Sequence, residues 1–141
     1  MKQFLALAAL LSLGAISWAQ IIHPYECHCG VFVPYPTGES EVYRMQPLHL
    51  ESCDNATLCT IACADEWKDL TNHGDLTTLL PNGYTLGQDI CLSAIEHFIP
   101  FLNDAPGFVN ARLCEGNWED TGLSTRQNIC CNSGHYYDCE A

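Results

Sequence analysis

The residues of this chain with the most chemistry open to them are its ten cysteines: Cys27, Cys29, Cys53, Cys59, Cys63, Cys91, Cys114, Cys130, Cys131 and Cys139. A thiolate can attack a substrate, hold a metal or pair with a second sulfur, and the compartment decides which. The first nineteen residues settle that choice here. Lys2 opens an apolar run from Phe4 to Ile16, and Ser17-Trp18-Ala19 places small residues where a signal peptidase reads. This is the pattern of a signal peptide, 1–19, ahead of one extracellular domain, 20–141. The run is shorter than the roughly twenty residues that span a bilayer, so no membrane span is expected. An even set of cysteines in an exported chain reads as five disulfides. Neighbours Cys130 and Cys131 must bond to different partners, and so must Cys27 and Cys29, because a disulfide needs converging Cβ vectors at a Cα separation of about 5.5 Å.

Cys27-His28-Cys29 has the residue types of a zinc site. In an extended chain, however, His28 points away from both sulfurs, and oxidation removes the thiolates that zinc needs. The other histidines, His23, His49, His73, His97 and His135, are far apart in sequence, and no Gly-x-Ser-x-Gly elbow is present. No catalytic, metal-binding or cofactor-binding residue is therefore assigned, and no cofactor is expected. Asn55-Ala56-Thr57 is a glycosylation sequon, so Asn55 is a candidate modification site on the surface.

Charge narrows the partners. Seventeen acidic residues against five basic give a net charge of −12. Such a surface repels phosphate backbones and anionic lipid, which argues against nucleic acid. The acidic groups are scattered, with small clusters at Asp65, Glu66 and Asp69 and at Glu119 and Asp120, and they read as a solvated surface.

Sequence patterns place the cysteines on elements. Val31, Phe32 and Val33, a Pro34-to-Gly38 turn, then Val42, Tyr43 and Met45 read as short extended segments. Asp54 is a candidate N-cap for a helix over roughly 55–71, which sets Cys59 and Cys63 one turn apart on one face. Thr85 with Gln88 resembles a capping box and opens a helix over roughly 86–102, with Cys91, Ala94, Ile95, Phe98, Ile99 and Leu102 on one stripe. Pro100 should kink or end it. Ser124 with Gln127 suggests a third helix, 125–131. The expected fold is α+β, a small disulfide-rich domain with about three helices clipped to an extended N-terminal segment. Phe32-Val33-Pro34-Tyr35 reads as half-buried packing, or else as an aromatic partner surface.

Three resemblances bear on function. Tyr25-Glu26-Cys27-His28-Cys29-Gly30, and Cys130-Cys131 followed by His135 and Cys139, are similar to secreted calcium-dependent phospholipases, which implies a secreted hydrolase. That family places two residues between its cysteine pair and its histidine, and an Asp directly after the histidine; here there are three, and Tyr136 follows. Cys59-x3-Cys63 and Cys130-x8-Cys139 resemble insect odorant-binding proteins, which implies an all-helical carrier of a small apolar ligand. The chain from Cys27-x-Cys29-Gly30 to the Cys130-Cys131, Gly134, Tyr136-Tyr137, Cys139 end looks like uncharacterised cysteine-rich secreted proteins of arthropods. That resemblance implies a setting such as haemolymph or venom and no activity. The function expected is a secreted, non-enzymatic binding or interaction protein, a venom or defence component being one form of it. Its partner would be an extracellular protein or a small apolar ligand.

Overall fold

The computed structural model describes residues 25–36 and 38–141. The expected signal peptide, 1–19, lies outside the described residues. Strand β1, Glu26–Tyr35, carries the Val31-Phe32-Val33 run and turns back into β2, Gly38–Arg44, with Gly30 opposite Arg44 and Tyr35 opposite Gly38. The short β3, Leu48–His49, pairs with the start of β1. The opposite edge of β1 is taken by a strand from the far half of the sequence, β5, Phe108–Leu113, which in turn pairs with β6, Glu119–Ser124. Sheet order is β2-β1-β5-β6, all antiparallel. A second sheet has the order β4-β7-β8, from Phe101–Ala105, Ile129–Asn132 and His135–Tyr136.

Two helices lie among the described residues, α1, Ala56–Thr71, and α2, Leu86–Glu96. The N-cap of α1 is Asn55, whose side chain accepts from Leu58 N at 3.3 Å, one residue beyond Asp54. Cys59 and Cys63 of α1 bond to Cys27 and Cys29 of β1, giving two parallel rungs between helix and strand. The rungs fit because two residues along a strand advance about 6.6 Å and four along a helix about 6 Å. Cys53–Cys114 ties the approach to α1 to the end of β5, Cys91–Cys131 ties α2 to β7, and Cys130–Cys139 holds the C-terminal segment. Adjacent cysteines thus take different partners, and five bridges leave no free thiol.

Trp67, Leu76, Leu86, Ile90, Val31, Val33 and Val109 fill the space between helices and sheet together with the bridges. Burying each aliphatic side chain contributes about 1.5–3 kcal/mol. Outside the first sheet, Trp118 meets Phe32 edge-on at 4.9 Å between ring centroids. Arg44 and Arg112 lie over the same indole at 5.3 and 5.9 Å. A Cβ on Gly30 would crowd Phe32 Cε1 at 3.2 Å and the Tyr43 carbonyl at 3.3 Å and touch the indole at 3.4 Å, so the bare backbone leaves room for the Phe32 ring that Trp118 meets.

The fold expected from sequence is corrected in its strand content, its number of helices and their bounds. Among the described residues the chain is mostly β-sheet, 38% strand against 23% helix, with two helices instead of about three. The stretch expected to be the third helix, 125–131, is a bend followed by β7. Ile129, Cys130 and Cys131 are buried in succession between β4 and β8, with the two sulfurs drawn to different partners, an arrangement that one helix face cannot offer. Ser124, which would cap such a helix, instead ends β6 opposite Phe108, and Thr125 donates its hydroxyl to Gln127 O at 2.7 Å and accepts from Gly107 N. The second helix also stops earlier than expected, at Glu96 and not at 102, because β4 needs an extended chain through Phe101. Gln88 does not close a capping box. Its amide donates to Gly134 O at 2.7 Å and accepts from Tyr136 N, which clamps the β7–β8 hairpin onto α2.

Candidate functional site

Two features emerge from this scaffold, an exposed apolar strip and a polar-floored cleft, and both use α2. The strip begins with Leu92 and Ile95, partly exposed on α2 beside Gly134 of the β7–β8 turn. It continues where the helix ends. Phe98 N donates to Ile95 O at 2.9 Å and Ile99 N to Ala94 O at 2.9 Å, the paired hydrogen bonds of a Schellman termination. Phe98 occupies the left-handed position of that motif, with φ 61°, a place that usually carries glycine. The residue is 90% exposed. Phe101, at the start of β4, follows at 61% exposed, and no further strand pairs with the outer edge of β4 among the described residues.

The cleft lies between β2, α1 and the segment leading into α2. It has a volume of about 390 Å³, within the range of small-molecule sites, and is partly open to solvent. Met45, Leu70, Leu80 and Pro81 form its apolar walls. On its floor the Tyr43 hydroxyl donates to Asp89 Oδ2 at 2.9 Å, and Asn82 Nδ2 donates to Asp89 Oδ1 at 3.1 Å. Asp89 stands in the first turn of α2, where unpaired backbone N–H groups favour a negative charge. Burial, and then the Asp89 carboxylate beside it, push the Tyr43 phenol well above its ordinary pKa, so it stays protonated and donating. Arg44 lines the cleft as well, but two of its guanidinium nitrogens are taken by Glu41, at 2.7 and 2.9 Å.

The residues singled out in the sequence fall elsewhere. His28 points to the side of β1 away from the disulfides, its Nε2 3.4 Å from Glu26. His97 caps α2, its Nδ1 3.0 Å from Ser93 O, while His135 is exposed at the β7–β8 turn. No group of three or more His, Cys, Asp or Glu side chains converges as a metal site among the described residues. Asn55 and Thr57 of the sequon are exposed, and capping uses only the Asn55 oxygen, leaving Nδ2 outside that bond. The aromatic surface considered at Phe32-Val33-Pro34-Tyr35 is split: Phe32 and Val33 are buried, while Pro34 and Tyr35 are exposed at the hairpin end. The all-helical shell implied by the odorant-binding resemblance is not formed. No helix among the described residues is long and apolar enough to cross a membrane.

Sequence reasoning missed both features. Tyr43 and Asp89 are 46 residues apart and carry no local signature. Periodicity puts Phe98 on the core-facing stripe of a longer helix, although Pro100, two residues on, disfavours helical backbone at Ile99. No protein-family model matches the chain, and neither a curated protein nor a solved structure matches it.

Proposed function

We propose that this chain is a secreted, non-enzymatic, disulfide-stabilised protein that binds another extracellular protein through the strip Leu92, Ile95, Phe98 and Phe101. One observation carries the reading. A phenylalanine occupies the left-handed position of the α2 termination, where a non-glycine residue costs about 1–2 kcal/mol, and its ring contributes almost nothing to the core. Strain kept at an exposed aromatic fits a residue retained for contact with something else. The five disulfides support export, since such density is typical of extracellular proteins. The net charge of −12 disfavours self-association and anionic membranes, which leaves a neutral or basic protein as the partner.

Support for a non-catalytic role comes from the chemistry of the side chains. Every cysteine is bridged, the described histidines do not converge, and the phenol in the cleft is held as a donor. The runner-up, a carrier enclosing an apolar ligand, is less well supported, because side chains and disulfides fill the space between helices and sheet.

The test is a photo-crosslinking phenylalanine analogue placed at position 98 and irradiated in the fluid that receives the secreted protein. The reading predicts one dominant adduct, abolished by Phe101→Asp and retained when the analogue-bearing chain also carries Tyr35→Ser. Crosslinking that is diffuse, or indifferent to Phe101→Asp, overturns it.

A further inference from the structure

We propose that the cleft between β2, α1 and α2 is a binding site for an organic monocation, an ammonium group joined to an apolar body. The proposal goes beyond the protein-binding strip and does not depend on it.

Internal hydrogen bonds on the floor of the cleft leave a defined capacity for a ligand. The Tyr43 hydroxyl spends its proton on Asp89 Oδ2, so its oxygen faces any ligand as an acceptor. Each Asp89 oxygen takes one hydrogen bond, from Tyr43 or from Asn82, and keeps lone-pair capacity for another. The Asn82 carbonyl oxygen already accepts from Tyr84 N at 3.0 Å. Beside the donors left on the Gln46 and Asn82 amides, the floor therefore offers acceptor lone pairs on Tyr43 and on both Asp89 oxygens, which suit a group that has several donors. An ammonium is such a group.

Charge selects in the same direction. Of the charged residues lining the cleft, Glu66 and Asp89 are acidic, and the guanidinium of Arg44 is neutralised by its two hydrogen bonds to Glu41. A carboxylate or phosphate head would meet two like charges and find the one cation already paired. A cationic head gains charge-assisted hydrogen bonds in partly desolvated surroundings. Met45, Leu70, Leu80 and Pro81 then set the remainder of the ligand: it must be apolar and small enough for about 390 Å³.

Titration calorimetry of the full secreted chain at neutral pH, with n-octylammonium, n-octanol and n-octanoate as probes, tests this with one alkyl body and three heads. Octylammonium is expected to saturate a single site and bind about tenfold or more tightly than octanol, the scale of one charge-assisted hydrogen bond, with no binding of octanoate. Asp89→Asn should remove most of the preference for ammonium over octanol. Glu66→Gln, a near-isosteric change at a half-buried residue of α1, should reduce the preference part-way, so the test survives if the Asp89 variant is unstable. Octanoate binding as well as octylammonium, or an ammonium-to-alcohol ratio unmoved by Glu66→Gln, overturns the proposal.

Discussion

The Tyr43 hydroxyl and Asp89 Oδ2 lie 2.9 Å apart and join the end of β2 to the first turn of α2. The bond is partly buried, and it fixes the phenol as donor and the carboxylate as acceptor. Because the folded chain holds the Tyr43 proton more tightly than an unfolded one, its stabilisation is complete below the ordinary tyrosine pKa of about 10 and is lost as pH rises through the higher folded value. Tyrosinate absorbance during alkaline titration should show a delayed step that Tyr43→Phe removes. A titration identical in the two proteins would contradict the bond.

Asp75 gives the opposite limb. Its carboxyl is held below the usual range first by a hydrogen bond from Gln127 Nε2, then by the Thr77 backbone and hydroxyl, with Arg126 adding a smaller attraction. A lowered folded pKa means a contribution that is present above the unfolded value of about 3.9 and lost as pH falls through the folded one. Melting temperatures measured from pH 6 to pH 2 should therefore decline less steeply on the acid side in Asp75→Asn than in the parent chain. An unchanged slope would remove Asp75 from the acid response.

Trp118 gathers Phe32, Arg44 and Arg112 on the outer face of the first sheet, so two of the five basic residues lie over one indole. Trp118→Ala should cost about 2–4 kcal/mol, combining lost burial, the edge-to-face pair and the guanidinium stacking. Chemical denaturation would measure it. A loss below about 0.5 kcal/mol, the scale of an ordinary surface change, would mean that the indole packs loosely.

The bridges should open in order of exposure. Cys53 is exposed and Cys114 half-buried, whereas Cys27–Cys59, Cys29–Cys63 and Cys91–Cys131 join fully buried partners. Stepwise mild reduction with differential alkylation and peptide mass mapping should label Cys53 and Cys114 before any of the six. Early labelling of Cys59 or Cys63 would contradict the helix–strand rungs.

How much of this was legible in the sequence depends on how local the cause is. Cys59 and Cys63 on one helical face, the separate partners of Cys130 and Cys131, and the start of α2 at Thr85 follow from spacing and capping, which act within a few residues. The strand at Ile129–Asn132 does not. Ser124 and Gln127 imitate a helix start, but β4 and the cysteine partners at 91 and 139 pull the segment straight from a distance. The cleft was illegible for the same reason, since Tyr43, Asn82 and Asp89 meet only after β2 packs on α2. Phe98 sits between these cases: Pro100 marked the helix end, yet apolar periodicity carried the stripe past it.

Phe98→Gly tests most directly whether this protein spends conformational energy to display an aromatic ring. Glycine removes the left-handed penalty and a side chain that the core does not use, so thermal denaturation should show a variant as stable as the parent or more so, while the position-specific crosslinked partner of the parent chain no longer co-purifies. A variant that melts well below the parent, with partner binding intact, would contradict the account.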